Sequence, residues 1–491
     1  MMGSDLLLLL PLLLPAAGGL CVSLIRLPDS ARKNLVTAVL ALEAGVAALL
    51  LFRPDASLFL FSFSAEIPVF LSADSVSRLY LAFISLVFLL VGISSFEYIA
   101  HEGNGSRFYT FYLLTLFALA GLSLSGSIVT FYMFYEAMTL LSLPLVTHSQ
   151  TKEAVAAGIK YLLYSVVGAS LALCGIFFLS RYAQSLSFAP GGVLDAAKTA
   201  GNEGVLLPVL FVMIIGFSVK AGMFPLHGWL PTAHPVAPAP ASAVLSGVIT
   251  KAGVLGIIRV IYYLAGAEIL RGTWVQTALI ILSLITVFMG SAMAFQEPVL
   301  KKRLAYSTVS QVSYVLFGLF TLSAAGLSGA LLHILFHSVI KNTLFMAAGA
   351  IILKTGLTRV PELGGIGRRM PLTMACFTLV SLGLIGIPPT GGFLSKWYLA
   401  QGALAMDSAW NWVGPSVLLL SAVLTAGYLL SIVIRGFFPG EEAAREAMTP
   451  SEPGWAMRIP MLILAALCLL GGMFPGAILE ATQSIAAAVV H

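Results

Sequence analysis

Charge is what this sequence has least of. Only 10% of its 491 residues are Asp, Glu, Lys or Arg, against 59% hydrophobic, and the mean hydropathy is +0.98. Soluble globular domains carry about a quarter charged residues, so a water-solvated fold is excluded. Cysteine is scarce as well. Cys21, Cys174, Cys376 and Cys468 stand singly in apolar stretches with no CxxC spacing, and they read as small core residues rather than iron–sulfur ligands. No GxGxxG follows a strand pattern, no P-loop occurs, and no polar stretch is long enough to fold as a nucleotide-binding domain. The opening MMGSDLLLLL lacks a basic n-region and carries Asp5 instead, so the first apolar run is expected to be retained as a span rather than removed as a leader.

What is abundant is apolar length. A spanning helix needs about 20 apolar residues to cross about 30 Å of hydrocarbon, and such segments recur from Leu6 to Val490. We read an all-α polytopic membrane protein with about fourteen transmembrane helices, forming a single membrane domain over residues 1–491. The expected spans are 5–25, 34–52, 76–99, 108–125, 127–147, 158–181, 204–224, 240–265, 273–295, 304–322, 329–353, 371–401, 411–435 and a final helix at 457–487. Cytoplasmic loops collect Lys and Arg. Placing the N-terminus outside gathers Lys301, Lys302, Arg303, Lys354, Arg359, Arg368 and Arg369, with most other basic residues, on the inner side. It leaves Arg53, Arg78, Arg181, Lys198, Arg259 and Arg271 outside. With an even number of spans, both termini are expected to face the exterior of the plasma membrane.

Against this apolar background the ionisable residues inside spans stand out. A charge at the bilayer centre costs about 2.5–3.5 kcal/mol on insertion scales, yet Glu43, Glu136, Lys220, Lys251, Lys341 and Lys396 all fall within apolar runs. Glu43, on an early helix, is expected to be structural, either snorkelling or meeting another subunit. Glu136 has only aromatic and aliphatic neighbours in sequence and needs a cation from another helix, for which Lys220 is the natural partner. A buried lysine loses its preference for the charged form by desolvation, and a nearby carboxylate restores it. At about 4 Å and an effective dielectric of about 20 that attraction is about 4 kcal/mol, so forming or breaking the pair would capture or release a proton.

His333, His337 and Lys341 recur at i, i+4 and i+8 in HILFHSVIKNTLF and share one helical face. The HxxxH pair lacks the glutamate of HExxH and any evident third ligand. A proton-relaying row is expected in place of a metal site, with a satisfied polar stripe between helices as the plainer alternative. GMFP at 222–225 and GIPP at 386–389 each interrupt an apolar run, and breaks of this kind at membrane depth occur where protein or a water-filled cavity satisfies the freed backbone. Lys220 precedes the first break and Lys396 follows the second. Paired discontinuous helices point to a transport site between two inverted repeats, here 108–265 and 273–435 with five helices each.

The stretch KAGMFPLHGWLPTAHPVAPAPASAVLSGVITKAG, with KKRLAYSTVSQVSYV at 301–315, HILFHSVIKNTLF at 333–345 and GIPPTGGFLSKWYL at 386–399, resembles one superfamily over nearly the whole chain. That superfamily holds the antiporter-like subunits of NADH:quinone oxidoreductase (complex I), the D-type subunits of Mrp cation/proton antiporters, and membrane subunits of energy-converting hydrogenases and formate hydrogenlyases. The resemblance implies a hydrated polar axis through the membrane centre. Its fifth-helix glutamate matches Glu136, the lysine of its first broken helix Lys220, and its eighth-helix lysine Lys251. Its eleventh helix matches His333, His337 and Lys341, and the ionisable residue of its second broken helix matches Lys396, where one complex I branch has glutamate. The implied partners are other membrane subunits of such a complex and the lipid bilayer, with H⁺ carried, Na⁺ left open as a second ion, and no nucleic acid. Redox-coupled pumping, a Mrp-type antiporter without a redox partner, and a scaffold subunit whose polar groups only hold helices together are the readings left open.

The absence of flavin, iron–sulfur and nucleotide motifs predicts that the purified chain carries no cofactor and oxidises nothing by itself. Absorbance spectra and metal analysis of delipidated protein should show no stoichiometric chromophore, and finding one refutes the reading.

Overall fold

The computed structural model describes residues 6–64, 66–439 and 451–490; Asp5 lies outside them. Helices follow the apolar runs with ends displaced by a few residues. After a short 3-10 turn come α1 (Leu10–Leu24), α2 (Asp29–Leu51), α3 (Ser75–Glu102), α4 (Gly105–Ser123), α5 (Ile128–Val146), α6 (Lys152–Tyr182), α7 (Glu203–Ala221) and the short α8 (Leu230–Val236). Then follow α9 (Ala239–Ala265), α10 (Trp274–Gln296), α11 (Leu300–Phe320), α12 (Ala324–Thr355), α13 (Pro371–Ile385), α14 (Gly391–Leu404), α15 (Trp410–Phe437), α16 (Trp455–Met473) and α17 (Gly476–Val489). Among the described residues eleven helices are long and apolar enough to cross a membrane, against the fourteen expected. The helices α4 and α11 are long but more polar, and α13 and α17 are apolar but short.

The innermost helices are α9 and α12. The apolar window of α9 is 100% buried within the chain and that of α12 is 94% buried, whereas α1, α2 and α15 leave much of their surface outward. α12 packs against α11, α13, α14, α16 and α17, so its His and Lys side chains reach protein and not lipid.

Both interruptions are real and use one device. α7 stops where Gly222 takes a left-handed φ of 82°, with the Met223 amide donating to the Ser218 carbonyl at 3.1 Å. α13 stops at Gly386, φ 95°, with the Ile387 amide donating to Leu382 at 3.0 Å. Glycine adopts this conformation without a Cβ penalty, and the prolines that follow cannot continue the helix.

Two features depart from expectation. The all-α reading missed an antiparallel hairpin, β1 (Ser57–Ser64) with β2 (Ile67–Ser72), in which Leu58 faces Leu71 and Phe59 faces Phe70. SLFLFSFS is a short run rich in Phe and Leu whose second half, FSFS, alternates in the period of two that strands use. The expected single helix at 457–487 is two helices, because Phe474 precedes Pro475 and takes φ −127°, ψ 65°, outside the helical region. Pro475 is then the N-cap of α17.

The hairpin end of the molecule is fixed by a buried ion pair. Arg259, 1% exposed at the end of α9, forks onto Asp74, the N-cap of α3, with its second nitrogen 3.0 Å from Asp74 and 2.8 Å from the Ser77 hydroxyl. The guanidinium lies between the rings of Phe188 and Tyr263, at 4.8 and 4.4 Å from their centroids. Burial pushes the Asp74 carboxyl upward, but the guanidinium beside it wins and holds it below the ordinary carboxylate range. Arg259, counted above on the outer side, is at that place a buried clamp between α9 and α3. Removing one partner strands a buried charge, which costs about 3–5 kcal/mol, whereas replacing both can be neutral. Asp74→Ala should lower the melting temperature of the purified protein substantially, and Asp74→Ala with Arg259→Met should recover most of it. Equal melting of single and double variants would contradict the clamp.

Candidate functional site

The membrane-depth polar residues fall into three groups, each seated on a helix break or an irregular turn. In the first, Lys220 on the last turn of α7 is fully buried. Its Nζ donates to Thr139 Oγ1 at 2.9 Å, Tyr161 OH at 3.1 Å and Ser165 Oγ at 2.8 Å. It also lies 4.5 Å from the centre of the Tyr161 ring. The cradle is possible because α6 and α7 meet backbone to backbone where Gly168 faces Gly216, and any Cβ there would strike the opposite carbonyl. That contact brings Tyr161 and Ser165, one turn apart on α6, up to the lysine.

The expected ion pair is not formed. Glu136 is only half-buried, and no carboxylate among the described residues lies within 4.0 Å of Lys220. Three hydroxyls take the ammonium in its place. Glu136 lies one turn before Thr139 on α5, the helix that supplies one of those hydroxyls.

The second group is central. α9 carries a π-helical turn over Leu245–Ile249, and Lys251 just beyond it turns its Nζ back to the Ser246 carbonyl. Single π turns inside α-helices recur at functional sites. Lys341 on α12 donates to the Leu304 carbonyl at 3.0 Å and to Ser307 Oγ at 2.6 Å, and the Tyr428 hydroxyl donates to the same Ser307 at 2.8 Å. His337 lies within the fields of Lys251, Lys341, His333 and Lys396.

The third group gathers at the second break. His333 stacks on His337 with centroids 5.8 Å apart and on Tyr314 at 5.7 Å, and its Nδ1 is 2.8 Å from Ser395 Oγ. Lys396, one residue on, bonds the Leu384 and Ile385 carbonyls that end α13, at 2.6 and 3.0 Å, and stands 4.9 Å from the Tyr314 ring centre. So His333 and His337 form a row, while Lys341 turns aside to α11.

Several members had no sequence signal strong enough to single them out. Thr139, Tyr161 and Ser165 look like ordinary span residues; only the i, i+4 spacing of the last two hints at a shared target. His234, inside the quoted TAHPVAPAP, is fully buried within reach of the charges of Lys301, Lys341 and Lys251, and stacks on Phe345 at 4.8 Å. Both ring nitrogens of His234 and His337, and Nε2 of His333, have no protein partner. Buried polar atoms of this kind are ordinarily satisfied by internal water. Glu43 belongs to none of these groups: it is fully buried between α2 and α3, 3.4 Å from Ser85 Oγ, and so neither snorkels nor reaches another subunit. Among the described residues no cluster of three His, Cys, Asp or Glu is placed to hold a metal ion.

A multi-pass membrane protein with two broken helices and a buried row of lysines and histidines is the class that this geometry defines. Residues 125–425 match the family described as NADH:quinone oxidoreductase/Mrp antiporter, TM, and the chain belongs to that family. It is 34% identical over 370 residues to NADH-quinone oxidoreductase subunit N of Desulforudis audaxviator, covering 74% of this chain and 72% of that one. It is 31% identical to hydrogenase-4 component B of Escherichia coli, covering 87% of this chain and 65% of that protein. A chain in the structure of the Mrp complex from Dietzia sp. superposes with TM-score 0.85 at 22% identity, covering 100% of this chain and 98% of that one, a likeness of fold.

Proposed function

We propose that this chain is the proton-carrying, antiporter-like subunit of a multisubunit membrane complex in the plasma membrane, moving ions along the row from Glu136 and Lys220 through Lys251, His337 and His333 to Lys396. The observation that carries the reading is the hydroxyl cradle of Lys220. A hydroxyl both accepts and donates, so three of them serve an ammonium with three N–H donors and equally a neutral amine that must accept one bond. Orphaned nitrogens on three buried histidines support a hydrated path between the lysines. The relatives bear the names of quinone-reductase, hydrogenase and Mrp subunits, and on their model the driving reaction, redox or a cation gradient, resides in other subunits; the buried row is more than a scaffold needs.

In this reading α4, α11 and the α13–α14 pair also cross the membrane and bring the crossings to fourteen. The segments 108–265 and 273–435 form two inverted five-helix repeats, each with one break, and both termini lie outside. The basic first turn of α11 then faces the cytoplasm. Lys302 is 39% exposed there, beside Glu297 at 2.8 Å, which makes it a usable probe. A cysteine at 302 should resist impermeant thiol reagents in intact cells and react after permeabilisation; labelling from outside would reverse the topology.

The axis itself is tested in proteoliposomes containing the whole complex. Lys220→Ala should leave subunit content and driving turnover in place while pumping falls roughly a hundredfold, the scale of losing one positioned acid–base group. Glu136→Ala should do nearly the same, and the double variant no more, because both act on one switch. Lys396→Ala should also impair pumping, and Glu43→Gln should not. Normal pumping by a fully assembled Lys220→Ala complex would make the lysine structural and remove the basis of the reading.

A further inference from the structure

The second break opens sideways. A cavity of about 550 Å³ lies between α14 and α15 and reaches Ile385 and Gly386 at the break itself. Lys396 is its only charged lining residue, and Phe393, Trp397, Leu419 and Val423 at its wall are exposed on the outer surface of the chain. No acidic side chain among the described residues lies within 4.0 Å of Lys396. Its Nζ makes two hydrogen bonds, both to carbonyls, and an ammonium has a third N–H to give. An apolar slot exposed on the outer surface of the chain, with an amine at a helix break that has no carboxylate partner among the described residues, calls for a ligand that is apolar along its length and anionic at one end.

We propose that this cavity binds a long-chain fatty acid, its carboxylate paired with Lys396 Nζ and its alkyl chain lying along Phe393, Trp397, Leu419 and Val423. A phospholipid is the poorer fit, because its phosphate is held in the headgroup layer, whereas the uncharged acid enters the hydrocarbon freely. On meeting the neutral amine the acid's O–H bond breaks, an N–H bond forms, and an ammonium–carboxylate pair remains. Removal from water strengthens such a pair. Resting on the relay reading above, occupation holds Lys396 in its charged form and stops it from passing a proton on, so the fatty acid inhibits pumping.

The test uses the whole complex in phosphatidylcholine nanodiscs with a diazirine-bearing palmitate as probe. Crosslinks should map to residues 393–400 or 418–426 and be displaced by palmitate but not by hexadecanol or phosphatidylglycerol. Lys396→Gln should reduce labelling roughly tenfold, the loss expected for a hydrogen bond to a charged group. Ala422→Trp fills the cavity without touching the lysine; it should reduce labelling equally while pumping in the absence of fatty acid is unchanged. Label absent from both segments, equal displacement by hexadecanol or phosphatidylglycerol, or full labelling of both variants overturns the proposal. Labelling is read separately from transport: if the site labels as expected while Lys396→Ala pumps normally, the site stands and the relay reading is what fails.

Discussion

An ammonium group enclosed by apolar protein must find acceptors for three N–H bonds, and in this chain those acceptors are hydroxyls and helix carbonyls rather than carboxylates. Lys220, Lys251 and Lys341 are all fully buried, and none has a carboxylate at contact distance among the described residues. Helix geometry limits where such acceptors exist, because a regular α-helix spends its carbonyls internally. The irregular turns supply them. Lys396 uses carbonyls freed where α13 ends, and Lys251 uses the Ser246 carbonyl within a π turn. The irregular turns thus hold Lys251 and Lys396, whereas Lys220 rests on three hydroxyls and Lys341 on Ser307 and the Leu304 carbonyl of α11.

Much of this was legible in the sequence because it is local. Apolar length gives the helices, Gly followed by Pro gives the interruptions, and a lysine in a greasy run announces itself through its cost. Pairing was harder. Arg259 and Asp74 are 185 residues apart, and nothing near either names the other, so Arg259 looked like one more external basic residue. Lys220 was assigned to Glu136 by charge alone, but Thr139, one turn beyond Glu136 on α5, is what it touches. Hydroxyls are too common in spans to be noticed until packing brings three to one nitrogen. The hairpin was passed over for a different reason: SLFLFSFS is too short to span and sits between two strong helical runs.

Separating Glu136 from Lys220 has a consequence for how the pair acts. A closed ion pair is a deep well, about 4 kcal/mol at contact and an effective dielectric of about 20, and leaving it requires that energy back. With hydroxyls supplying the bonds, Lys220 remains solvated by protein in either protonation state. On the proposed relay, Glu136 needs only to change its distance or its own charge to bias which state is favoured. Glu136 is half-buried on α5, whereas Lys220 is fully enclosed.

The two breaks differ in what braces them. At the first, the Trp229 indole N–H donates to the Val219 carbonyl at 2.9 Å, bridging the end of α7 and the segment that follows, and its ring packs on Tyr161 at 4.9 Å. Lys220 is free of that task. At the second, Lys396 is itself a brace, reaching from α14 back to the last carbonyls of α13. Hydrogen bonds from a charged donor are about twice as strong as neutral ones, so neutralising Lys396 weakens the joint it spans, whereas neutralising Lys220 leaves the indole bridge untouched. On the proposed relay, proton occupancy bears on the bracing of the second break and not on that of the first. In the proposed relay, the second break is therefore the one whose bracing depends on the charge of its own lysine.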